Sequence, residues 1–157
     1  MRRNRTGRRS GRPLLRRKAK LGKLTTKTAL FAYAGTFLTL LICDGIWLGL
    51  IAHNFYRDQL GVLMLPSPNL AVGALFYLFF AAAVVCCRAA SAVGGLYRHG
   101  VLHGAILGLA AYGTYDITNL ATLRNWPLAM SLVDTAWGTA LTALTAAGRY
   151  FAVRFFG

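Results

Sequence analysis

TALFAYAGTFLTLLICDGIWLGLI, residues 28–51, holds a single charged side chain, Asp44, in an otherwise apolar run. At a rise of about 1.5 Å per residue, about 20 apolar residues cross a hydrocarbon core of about 30 Å, so this run is long enough to span a bilayer. Moving outward, runs of similar length and character occupy 69–87, 101–122 and 127–148. Breakers separate them: Pro66, Ser67, Pro68 and Asn69 before the second, Gly94 and Gly95 before the third, and Trp126 with Pro127 opening the fourth, where proline suits a first helical turn. The expected fold is all-α, a polytopic bundle of four transmembrane helices over 28–157.

Composition agrees with that solvent. The chain is 56% hydrophobic, above the usual soluble composition, and its only acidic residues are Asp44, Asp58, Asp116 and Asp134. Twelve of the 18 Lys and Arg residues precede Thr28. That stretch, 1–27, is rich in Arg and Gly and too poor in apolar surface to order itself, so it reads as a disordered basic tail on anionic lipid headgroups. A mitochondrial presequence is the alternative for so Arg-rich a segment. Nucleic acid is not an expected partner, because the tail has no aromatic on which a base stacks. With Arg88, Arg98, Arg149 and Arg154, the tail puts sixteen basic residues on one side of the membrane against Arg57 and Arg124 on the other. The first side is cytoplasmic by the excess of positive charge, which places both termini there. Tyr56, Phe55 and Trp126 then belong to the outer interface, and Tyr97, Tyr150 and Phe151 to the inner one.

Three of the four aspartates fall inside spans, where a central carboxylate costs on the order of 2.5 to 3.5 kcal/mol on insertion scales and so requires a partner or a task. Asp44 and Asp116 lie beyond the midpoints of outward-running spans, and Asp134 lies early in a span running back. All three share a depth about 5 to 7 Å outside the midplane. At about 100° per residue, Tyr112, Tyr115, Asp116 and Asn119 share one face of the third helix. Asp44 shares an arc with Trp47, and Asp134 with Trp137. These faces are expected to converge on an outer-half site, with Asn69 closing it. Three neighbouring carboxylates cannot all be ionised cheaply, so a proton or a cation belongs among them. The same carboxylates bonded to Tyr, Asn or Trp also serve as interhelical glue, and that structural reading stands beside the functional one.

Gly100, Gly104 and Gly108 repeat at spacing four and mark a face for close helix approach, within the chain or between copies in a homo-oligomer. His99 and His103, with Cys86 and Cys87 at the same membrane face, are a weak metal pattern, and no metal or other cofactor is expected. No nucleophile triad, phosphate loop or dinucleotide fingerprint is present.

The segments Asp44-Gly45-Ile46-Trp47-Leu48-Gly49, Phe55-Tyr56, Leu60-Gly61, Pro68-Asn69, Phe76-Tyr77-Leu78, the run Ala111-Tyr112-Gly113-Thr114-Tyr115-Asp116-Ile117-Thr118-Asn119-Leu120-Ala121-Thr122-Leu123, Trp126-Pro127 and Asp134-Thr135-Ala136-Trp137-Gly138 carry a resemblance. Over about 29–147 the chain resembles the bacterial predicted membrane protein family called domain of unknown function 2177. The resemblance implies a four-helix fold in a bacterial inner membrane and no particular activity. Three functional readings follow. The first is a non-enzymatic site for a proton, a cation or a small polar ligand, in a small transporter or a component of one. The second is a membrane enzyme on a lipid or isoprenoid with an aspartate as acid or base, and the third is a structural or assembly subunit.

Overall fold

The structure, a computed structural model, describes residues 26–90 and 97–157. The basic tail, apart from its last two residues, and Gly94 and Gly95 lie outside the described residues. Every regular element described is helical: α1 (Thr26–Ile46), which runs on into a π turn (Trp47–Ile51), α2 (His53–Leu60), a 3-10 turn (Gly61–Leu63), α3 (Leu70–Ala90), α4 (Tyr97–Thr122) and α5 (Leu128–Phe156). Segment 53–60, which lies between the first two expected spans, is the short helix α2. It turns back at Ala52, whose N–H bonds the Trp47 carbonyl at 2.7 Å, and it ends at Gly61, whose φ of +49° favours a residue without a Cβ. Helix α5 outruns the expected 127–148, because Gly148 and Arg149 do not break it and its last turns pack aromatics, with Tyr150 edge-on to Tyr97 at 5.0 Å.

Helix α5 is the hub. It packs tightly on α4 along one side and on α1 along another, while α3 leans on α1 and barely touches α4. Small residues make both seams. A Cβ on Gly104 would meet the Thr142 carbonyl at 2.7 Å, and one on Gly108 would collide with the Gly138 carbonyl. On the α1 side a Cβ on Gly148 would strike the Thr39 hydroxyl. Gly100, Gly104 and Gly108 are all buried. With Gly104 and Gly108 against α5, the stripe serves close helix approach inside the chain. We expect Gly108→Leu to lower thermal stability by about 3 kcal/mol through overpacking of this seam, read as a fall in Tm of the detergent-purified protein.

The distribution of polarity is the reverse of a water-soluble bundle. Thr36, Asp44, Asp116, Ser131, Thr142 and Thr145 are buried with Leu40, Phe80, Val84 and Leu141, whereas Leu50, Leu70, Ile117, Leu132 and Phe155 stand out on the surface. The buried threonines satisfy their hydroxyls on their own helices, Thr36 on the Ala32 carbonyl at 2.8 Å and Thr142 on that of Gly138 at 2.7 Å. The stretches Thr26–Ile51 and Leu70–Cys87 are long and apolar enough to cross a membrane, and only 17% of an apolar 18-residue window in each is buried, unlike the mostly buried core helix of a soluble domain. Helices α4 and α5 are longer but carry the glycines, threonines and aspartates of the interior, which lowers their hydropathy.

Candidate functional site

Asp44 lies near the end of α1, where it faces both α3 and α5. Its Oδ2 accepts from the Tyr77 hydroxyl at 2.6 Å and its Oδ1 from the Trp137 indole N–H at 2.8 Å. The side chain is 5% exposed, so both donors are satisfied away from water. The π turn that follows brings Trp47 flat against Trp137, with ring centres 4.2 Å apart and planes 8° from parallel. Trp47 also donates its N–H to the Tyr56 hydroxyl at 3.3 Å, and Tyr56 in turn donates to Asp134 Oδ1. Helix α2 is thus fastened to α5 by a buried phenol, supported by the apolar cluster of Ala52, Tyr56 and Met130.

Asp116 is the most deeply buried of the acids, with no exposed surface. Its Oδ2 accepts from Thr135 Oγ1 at 3.2 Å, and its main-chain carbonyl accepts from Ser131 Oγ, also at 3.2 Å. Its Oδ1 is buried without a donor, and the carboxyl lies within hydrogen-bonding reach of Asp134. Two carboxyl groups so placed present acceptors to one another unless a proton lies between them. Among the described residues, every donor to the three acids is a hydroxyl or an indole, and none is Lys, Arg or His.

Above this floor a cleft of about 460 Å³ opens between α3 and α4, lined by Phe76, Phe80, Ala111, Tyr112, Tyr115 and Asp134. Tyr112 lies on Gly138, where a Cβ would overlap its ring, and meets Phe80 edge-on at 6.2 Å. It is near enough to Asp44, Asp134, Tyr77 and Asp116 to feel all four electrostatically.

The structure therefore brings together Asp44, Trp47, Tyr112, Asp116, Asp134 and Trp137. Tyr115 stands at the cleft mouth, 56% exposed and edge-on to Trp126 at 5.9 Å. Asn119 is half-buried, and its main-chain carbonyl accepts the Leu123 N–H. Asn69 does not close the site. Its Oδ1 accepts the Val72 N–H at 3.2 Å, which makes it the cap of α3, a role that the first free N–H groups of any helix create. His103 is likewise engaged locally, its Nδ1–H donating to the His99 carbonyl at 2.6 Å. Among the described residues no three His, Cys, Asp or Glu side chains are grouped to hold a metal ion. Tyr56, Tyr77 and Thr135 are the residues that periodicity missed. Tyr56 read as an interfacial aromatic and Tyr77 lies in a helix with no acid of its own, so the only signal for either was its place in the family-like segments.

Tyr56 lies beyond the first span, and burial pushes its phenol well above the ordinary tyrosine range, with the bond to Asp134 adding to the effect. The folded phenol holds its proton more tightly than the unfolded one. Its contribution is complete below about pH 10, the unfolded value, and is lost as pH rises beyond it. Tyr56→Phe is expected to lower stability by about 1.5 kcal/mol near neutrality, the worth of a hydrogen bond to a charged acceptor, and to make the alkaline decline of Tm shallower than that of the wild type.

An apolar exterior around buried polar side chains, on helices that can span a bilayer, defines a helical integral membrane protein. Residues 29–151 match the family described as Predicted membrane protein (DUF2177), and the chain belongs to that family. Comparison with curated proteins and with solved structures finds no match.

Proposed function

We propose that all four long helices cross a bacterial inner membrane with both termini cytoplasmic, and that the outer-half acids bind a proton that is exchanged for a cation, without catalysing a reaction. Helices α4 and α5, of 26 and 29 residues, reach about 39 and about 43 Å, more than the hydrocarbon core requires. Their exposed side chains, among them Leu102, Ile106, Leu109, Leu128 and Leu144, suit lipid. Asp116, Ser131, Thr142 and Thr145, which lower their hydropathy, are buried, and the exposed Thr114 bonds its hydroxyl to the Ala110 carbonyl of its own helix.

The observation that carries the reading is the buried Asp116 Oδ1, which has no donor and belongs to a carboxyl within reach of Asp134. A purely structural carboxylate would be surrounded by donors, as Asp44 is. A pair sharing one proton has a negative charge of one, and with no Lys, Arg or His beside it among the described residues it is a place for a second positive charge to compete with that proton. Such exchange is the elementary step of a small transporter or of one of its components.

Infrared difference spectroscopy tests the shared proton directly. The purified protein is expected to show the carbonyl stretch of a protonated carboxylic acid, and that band should vanish in Asp116→Asn while the amide bands stay unchanged. A spectrum without any protonated carboxyl, in a folded sample, would reject the pair as a proton site.

A further inference from the structure

We infer that the cleft between α3 and α4 binds a cationic amphiphile, an alkylammonium-like molecule that enters sideways from the lipid and displaces the proton held by Asp116 and Asp134. This inference rests on the proton-pair reading and names the class of ligand for the same site.

Four features of the cleft select that chemistry. Its volume of about 460 Å³ falls within the range of about 300 to 1,000 Å³ typical of small-molecule pockets. Its walls are aromatic: Phe76 and Phe80 stack at 5.4 Å, and Tyr112 and Tyr115 face them from α4. Aromatic faces attract an organic cation through their quadrupoles. Its floor is Asp134, backed by Asp116 and Asp44 and by no Lys, Arg or His among the described residues. Among the described residues the acids are not grouped as metal ligands, which favours a bulky, weakly hydrated cation over an inorganic one.

The entrance fixes the rest of the molecule. Helices α3 and α4 barely touch, and the side chains at the gap, Phe76 at 50% and Tyr115 at 56% exposed, face outward to where lipid lies in the four-span arrangement. A ligand arriving there needs an apolar tail, and its head must satisfy a carboxylate. Charge balances simply: one cation enters the Asp116–Asp134 site and one proton leaves to water.

The test uses the full chain in nanodiscs of zwitterionic lipid, with decyltrimethylammonium as the probe and decyl maltoside as the neutral amphiphile of equal tail length. Binding is followed by tryptophan fluorescence, since Trp47 and Trp137 adjoin the acids, and proton release by a pH dye in weakly buffered solution. The cation is expected to bind about tenfold or more tightly than the neutral probe, the equivalent of one cation–aromatic contact with a carboxylate beside it, and to release protons. Ala111→Trp, which fills the cleft while leaving all three acids in place, should abolish binding while preserving the carboxylic infrared band. Equal binding of both probes without proton release would overturn the inference, as would undiminished cation binding to the filled cleft. Absence of cation binding in a wild-type protein that retains the band would also overturn it and leave the proton pair standing. Absence of the band would reject the pair and this inference together.

Discussion

Replacing Asp44 by alanine is expected to destabilise the protein by about 4 kcal/mol, whereas asparagine at the same place costs about 1 kcal/mol. The difference follows from donor accounting. Alanine leaves two donors without an acceptor, the Tyr77 hydroxyl and the Trp137 indole N–H, and each such buried group costs about 1 to 3 kcal/mol. Asparagine keeps its amide oxygen for Trp137, and its NH2 donates to the Tyr77 oxygen, since a hydroxyl accepts as well as donates. Loss of Asp44 also loosens α3, which reaches α1 through this bond and through the Tyr33 hydroxyl on the Leu78 carbonyl at 3.1 Å. Thermal unfolding of the two variants in detergent checks the ratio. Equal losses for alanine and asparagine would mean that the negative charge of Asp44, not its acceptors, supports the fold.

Asp116→Asn is expected to behave in the opposite sense, leaving stability unchanged or raising it by about 1 kcal/mol while flattening its dependence on pH. In the wild type, removing the shared proton leaves two carboxylates within reach of each other, one of them wholly buried, so stability falls as pH rises through that deprotonation. An asparagine amide donates permanently to Asp134 and needs no proton. The variant should fold, keep the Thr135 contact through its amide oxygen, and lose proton and cation exchange in reconstituted vesicles. Unfolding curves between about pH 4 and about pH 9 decide the matter. A loss of several kcal/mol at every pH would make Asp116 a structural hydrogen-bonding group, and function would then have to be sought in partners of the chain.

The membrane character of the chain was legible in its sequence because it depends on counting. Long apolar runs bounded by Pro, Gly and Asn announce helices, and the positions of Asp44, Asp116 and Asp134 along them are fixed by the helical rise alone. Helical periodicity also selected Trp47, Tyr112 and Trp137, which lie at the acids in the structure. Counting failed where a residue's role is set by a neighbour from another element. Asn69 looked like a polar lid and is a helix cap, because a side chain beside free N–H groups bonds them before anything more distant. Tyr56 looked like an interfacial aromatic between two spans, yet it fastens the short helix α2 onto Asp134. Short helices have too few periodic positions to stand out from a loop by pattern.

Sequence alone determined the solvent of this protein, its four long helices and the places of the acids along them, since these follow from transfer energies and helical geometry residue by residue. The order of the helices was decided only by tertiary packing. The glycines of α4 accept the close approach of α5, and this leaves α3 without a tight contact to α4. That order divides the three aspartates into a fully bonded Asp44 and the pair of Asp116 and Asp134, and it opens the cleft above the pair. The physical reason is that a site made of four helices depends on which faces meet, and the meeting of faces is a property of the packed bundle that no single helix contains.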